Sequence, residues 1–166
     1  MKIGIIGNGF VGKATRILEC KDIEILTYDI KPSLCIPEGI TLNDLMDCEC
    51  IFVSVPTPMK SNGECYLSIL NSVIEDIQLL NYQGFIVIRS TVPVGTSNKL
   101  NSYFMPEFLT ERNFEKDFKS NKDWIFGLLN TDTDRKFKET MTNLINLANV
   151  NGKIDFNNVH FVENKE

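Results

Sequence analysis

At 166 residues, 43% hydrophobic and 23% charged, the chain has room for the core of one ordinary domain and not for two. Its net charge of -5 with scattered basic residues disfavours a nucleic-acid or acidic-membrane partner, and no apolar run has the length of a bilayer span. The opening apolar run passes straight into a glycine turn, so no signal peptide is expected. The five cysteines, odd in number, point to reduced thiols and a cytoplasmic protein. Cys48-Glu49-Cys50 is spaced too closely for an ordinary zinc pair and the only histidine, His160, is remote, so no metal site is expected.

The first element in chain order is a buried strand from Lys2 to Ile6, followed by Gly7-Asn8-Gly9-Phe10-Val11-Gly12 and a helical spacing of apolar residues from Val11 to Leu18. A second strand, Ile23 to Tyr28, ends at Asp29, about twenty residues after the first glycine. In this context each part of the glycine motif has a task in holding a dinucleotide. Gly7 permits the turn off the strand, Gly9 lets the backbone approach a pyrophosphate, and Gly12 lets the helix pack against the sheet. The phosphates would lie at the helix N-terminus, with Asn8, Phe10 and Val11 beside them. Asp29 would accept both ribose hydroxyls and repel a 2'-phosphate, which favours NAD over NADP. The competing reading is a βαβ unit whose glycines only turn the chain.

A short helix from Leu42 to Met46, capped by Thr41 or Asn43, precedes a buried strand, Cys50 to Val55, which the prolines of Pro56-Thr57-Pro58 terminate. A loop with Asn62-Gly63 leads to an amphipathic helix from Leu67 to Leu80, and Gly84 turns into the strand Phe85 to Arg89. After Ser90-Thr91-Val92-Pro93-Val94-Gly95-Thr96 a helix is predicted from Ser97 to Tyr103. Pro106 suits a first helical turn, which would put Glu107 and Glu111 on one face, where early carboxylates also complement a helix dipole. A strand from Trp124 to Leu129, a helix from Asp132 to Asn149 and a strand from Val159 to Val162 complete the chain, with His160 pointing away from the core. The alternation predicts an α/β, Rossmann-like, doubly wound and mostly parallel sheet with helices on both faces, spanning residues 1–166 as one domain. Ligands of such sheets bind at the carboxyl ends of the strands, where the glycine turn, Asp29, Val55 to Pro58 and Ser90 to Thr96 all fall.

With these blocks in hand, the chain resembles the NAD-binding domain of the UDP-glucose/GDP-mannose dehydrogenase family. The residues that carry the resemblance are Gly7 to Gly12, Asp29, Val55-Pro56-Thr57-Pro58, Ser90 to Thr96, and Met105 to Glu111, which is similar to the family's Asn-Pro-Glu-Phe-Leu-x-Glu. The resemblance implies oxidation of a sugar nucleotide's C6 alcohol to a carboxylate in two NAD-dependent steps through a cysteine-bound intermediate. It implies that Glu107 is a general base, that Thr91 helps it hold water, and that Glu111 lies near the nicotinamide. Val55, Pro56 and Thr57 are expected to line the cofactor, with the Thr57 hydroxyl or N-H reaching its phosphate or ribose.

The family's nucleophilic cysteine, in a Cys-x-x-Lys-Asp setting, and a lysine and asparagine on a central helix have no counterpart in these residues. Cys20-Lys21-Asp22 echoes the first with the wrong spacing, and Cys65 has nothing nearby to activate it. Met105 stands where the family has asparagine, and Tyr66 where it has aspartate. The expectation is therefore an NAD-binding domain that is incomplete alone. A UDP- or GDP-sugar would be handled only with a complementary polypeptide carrying the carboxyl-terminal half, and the usual dimer is in doubt. The alternatives are a non-catalytic dinucleotide-binding module or degenerate remnant, and a β-hydroxyacid-type dehydrogenase, which would need a lysine on a further helical domain.

Overall fold

The computed structural model describes residues 1–156 and 158–163; residues 164–166, the end of the expected domain, lie outside the described residues. Seven strands form one sheet in the order β2-β1-β3-β4-β5-β6-β7. They are β1 (Lys2–Ile6), β2 (Glu24–Tyr28), β3 (Cys50–Val53), β4 (Phe85–Ile88), β5 (Tyr103–Phe104), β6 (Asp123–Leu128) and β7 (Asn158–Glu163). The first five run parallel, β6 pairs antiparallel with β5, and β7 pairs parallel with β6. The chain leaves β1 to one side for β2 and returns on the other side for β3, which makes the carboxyl ends of β1 and β3 the switch point where such sheets bind ligands.

Side chains alternate between two cores, as a pleated strand requires. Ile3, Ile5, Cys50, Phe52 and Val87 face one side, where α1 (Phe10–Arg16), α4 (Phe114–Lys119) and α5 (Asp134–Val150) contribute Ala14, Phe118, Phe137 and Met141. Ile6, Ile51, Val53 and Ile88 face the other, under α2 (Ser68–Leu79) with Leu70, Ile74 and Ile77. Each of those three α2 side chains is fully buried, a contribution of about 1.5–3 kcal/mol apiece. Among the described residues no helix is long and apolar enough to cross a membrane.

Several local expectations are corrected. The turn before β3 is a 3-10 helix, Leu42–Leu45, whose N-cap is Thr41: its N-H and hydroxyl both reach Asp44 Oδ2, at 2.7 Å each. The helix after the Ser90 block, α3 (Thr96–Lys99), ends early because Asn101 turns left-handed at φ 47° and Tyr103 enters the sheet, opposite Val87 and stacked 3.6 Å from Phe137. No helix starts at Pro106. Met105, forced towards an extended conformation by the following proline, continues the line of β5 by donating its N-H to Ile88 O at 2.9 Å, and helix resumes only at Phe114. Glu107 and Glu111 therefore do not share a helix face. The Asn62-Gly63 loop is a small hairpin arm, with Lys60 N-H on Glu64 O at 2.7 Å and Gly63 at φ 83°.

Candidate cofactor-binding site

The turn from β1 into α1 needs glycine at two of the motif's three glycine positions for reasons visible in the backbone. Gly7 has φ 94°, and a Cβ there would come within 2.5 Å of Ser54 O, so no other residue fits the passage of the turn beside β3. A Cβ on Gly12 would run into the Gly7 carbonyl. Gly9 differs: a Cβ there would meet nothing within 4 Å, so the face above the start of α1 is open, and no side chain caps the helix. An open face over uncapped helix amides is the geometry a pyrophosphate requires, and the residues present fit NAD.

Asp29 follows β2 and is fastened to the glycine turn. Its Oδ2 accepts the Asn8 N-H at 2.8 Å and its Oδ1 the Lys31 N-H at 2.9 Å, while Asn8 Nδ2 donates to Leu34 O at 2.7 Å. Each carboxylate oxygen keeps a lone pair for a ribose hydroxyl. Cys35 joins this lattice, its thiol donating to Asp29 O at 3.2 Å. The role of Asn8 and Cys35 in holding Asp29 was not legible beforehand; Asn8 inside the glycine motif was the available signal.

The ends of β3 and β4 are stitched together. Ser90 Oγ donates to Val55 O at 2.7 Å, and Thr57 Oγ1 donates to Thr91 O at 2.7 Å. The Thr57 hydroxyl proton is thus committed within the protein, which leaves its N-H and the oxygen's acceptor capacity for a ligand. Thr91 is exposed beside that bridge. Cys65, on the hairpin arm, directs its thiol at Thr57 O and Thr91 O, at 3.7 and 3.9 Å, so it lies beside both threonines. Ser54 Oγ, buried at the end of β3 next to Gly7, has no hydrogen-bond partner.

Glu107 lies half-buried on the extended segment after β5 and accepts the Leu109 N-H at 3.0 Å; Glu111 is exposed in the following turn. Met105 is 4% exposed and belongs to the core, not to the site. Arg89, which closes the β4 run, was passed over in sequence although a cation ending an apolar strand was a signal. It is 2% exposed, donates from Nη1 to Thr15 Oγ1 at 2.6 Å and stands 5.5 Å over the Phe118 ring. Burial pulls its guanidinium down to about 10.

Other groups lie elsewhere. Cys20 sits in the turn before β2, at the opposite end of the strands from the glycine turn. Cys48 and Cys50 are buried, which pushes the Cys48 thiol up to about 11. His160 is exposed on β7 and 2.9 Å from Asp123 Oδ1. A cleft of about 600 Å³ between α4 and residues 152–155 shares no residue with the site.

Comparison with known proteins agrees with this geometry. The UDP-glucose/GDP-mannose dehydrogenase family, NAD binding domain, matches residues 40–145. The UDP-glucose 6-dehydrogenase of Rickettsia bellii is 33% identical over 103 residues, 55% of this chain and 24% of the relative. That of Rickettsia prowazekii is 27% identical over 145 residues, 80% of this chain and 33% of the relative. Among solved structures, a GDP-mannose dehydrogenase ternary complex from Pseudomonas aeruginosa superposes with a TM-score of 0.81 at 19% identity, over 99% of this chain and 47% of that one. A UDP-glucose dehydrogenase from Pyrobaculum islandicum gives 0.72 at 16% identity, over 99% and 46%. The structural likeness shows the fold and takes in the glycine turn, which precedes the family match. The chain spans 24–33% of the length of these two Rickettsia relatives. With a doubly wound sheet, an open glycine turn tied to Asp29 and this match over most of its length, the chain belongs to the UDP-glucose/GDP-mannose dehydrogenase family, as its NAD-binding domain.

Proposed function

We propose that this chain is the cofactor half of a cytoplasmic nucleotide-sugar dehydrogenase, which oxidises the C6 alcohol of a UDP- or GDP-sugar only together with a polypeptide segment carrying the nucleophilic cysteine and the sugar pocket. The observation that carries the reading is the convergence of the open Gly9 face, the fastened Asp29 and the Thr57–Thr91 bridge on the carboxyl ends of adjacent parallel strands.

The chemistry supplied by bound NAD is hydride acceptance, and the protein's part is orientation and proton handling. The turn Gly7 to Gly12, with Asn8, Phe10 and Val11, receives the pyrophosphate on backbone amides. Asp29 takes the ribose hydroxyls and disfavours a 2'-phosphate by like-charge repulsion. Val55, Pro56 and Thr57 line the strand end beside the cofactor. The Thr91 hydroxyl orients a water or a substrate oxygen, Glu107 removes the proton from that oxygen, and Glu111 flanks the nicotinamide.

Calorimetric titration of the chain with NAD, NADP and UDP-glucose tests the reading. Measurable NAD binding is expected, with NADP about tenfold weaker or worse and no binding of UDP-glucose. Absence of NAD binding overturns the assigned contacts. A second reading, a binding module without catalysis, is favoured by the Met105 side chain lying in the core and Glu107 engaging its own loop. If the chain, mixed with a segment bearing the cysteine and sugar pocket, reduces no NAD with any UDP- or GDP-sugar, the binding module is the better account.

A further inference from the structure

Arg89 is a buried cation without an ion pair among the described residues, an expensive arrangement unless the charge does something. Its Nη1 donates to Thr15 Oγ1, and that hydroxyl donates in turn to Val11 O at 3.0 Å, in the first turn of α1 above which the pyrophosphate is placed. Its Nε has no hydrogen-bond partner, nor does Trp124 Nε1. Both residues line one cavity of about 30 Å³, room for a single water-sized acceptor, whose walls include Met105, Pro106, Phe108 and Leu109. Those four residues are the segment on which Glu107 is carried. Asp117 also borders the cavity, and its Oδ2 accepts the Thr110 N-H and hydroxyl at 2.9 and 2.6 Å. Glu107 is the carboxylate whose charge acts on Arg89, raising the guanidinium against the larger effect of burial.

We propose that Arg89 is a positioning residue, which ties the cofactor helix α1, through Thr15, to the 105–109 segment and so sets where Glu107 stands relative to the cofactor. Its catalytic meaning rests on the role proposed above for Glu107; the tie itself does not. Phe118 supports the guanidinium from below by a cation–π contact, so Arg89 cannot swing out without losing both that face and Thr15.

Hydrogen exchange of the Leu109 amide, which Glu107 holds, reads the tie directly in the full chain without cofactor. Arg89→Met is expected to speed that exchange about tenfold, and Glu107→Gln severalfold. The two changes together are expected to do no more than Arg89→Met alone, because both act on the same 105–109 segment. Arg89→Lys, which keeps the charge, is expected to restore most of the protection. Thr15→Val, close in shape to the native residue, is expected to loosen Leu109 as well, and it stands in should Arg89→Met fail to fold.

Additive effects of the Arg89 and Glu107 changes would overturn the proposal. So would equal losses in the Lys and Met variants, or an unchanged Leu109 in Thr15→Val. Because the cofactor is absent from this experiment, its failure and a failure of the NAD titration are separate results.

Discussion

At the glycine-turn end of the cleft, Asp29 is held by the amides of Asn8 and Lys31, Asn8 is held by Leu34 O, and Cys35 closes the lattice, all within residues 8–35. At the Glu107 end, the groups come from the ends of β3, β4 and β5, and the connections span 34 and 74 positions, Thr57 to Thr91 and Arg89 to Thr15. The first end is a local lattice of hydrogen bonds. The second is assembled from distant segments, and its carboxylate, Glu107, engages the backbone of its own loop. The contacts of the first end stay within one βαβ unit, while those of the second depend on how the whole sheet is put together.

The largest effect that would separate the two ends is expected at Gly12. A Cβ there meets the Gly7 carbonyl, backbone that cannot yield, so Gly12→Ala should lower stability by about 3 kcal/mol or more and abolish NAD binding. A thermal melt with a calorimetric titration checks both; a stable variant with native affinity would mean the turn has more slack than its geometry allows. Next in size is Asp29→Ala. Loss of the ribose contacts and of the Asn8 tie should weaken NAD about tenfold to a hundredfold, measured by the same titration.

A smaller effect is expected from pH, in the core on the α2 side of the sheet. The buried Cys48 thiol is held protonated up to about pH 11, while in the unfolded chain it ionises at ordinary thiol values. Below the unfolded value both states keep the proton and nothing changes. Above it the unfolded chain binds fewer protons than the folded one, so stability falls as pH rises from about 9 towards 11. Melts across that range should show a falling Tm, and Cys48→Ala should flatten part of the slope, leaving the share of Cys50, which burial also raises.

The smallest effect is the most discriminating. Glu107→Gln should leave NAD affinity within about twofold of wild type, since the glycine-turn end carries the binding. A loss matching that of Asp29→Ala would erase the distinction between the two ends.

The glycine turn and the carboxylate beside it were legible in the sequence because their residues are near neighbours. A glycine is forced at Gly7 and Gly12 by the backbone's own path, and the carboxylate after β2 must fall beside that turn when β1 and β2 pair in parallel. The alternating cores follow from the same apolar runs. The Pro106 segment was misread because a proline that opens a helix and a proline that prolongs a strand look alike locally. Pairing with Ile88 decided between them. Arg89 escaped notice because its neighbours Thr15, Phe118 and Trp124 are far away in the chain.

The sequence by itself determined the α/β sheet, the glycine turn and Asp29, because short-range sterics and hydrophobic period act between residues a few positions apart. Only the tertiary structure decided where Glu107 stands, that Thr57 bridges to Thr91 and that a buried arginine at the end of β4 bonds to α1. Those contacts exist when β3, β4 and β5 are brought side by side, and no local pattern encodes that meeting.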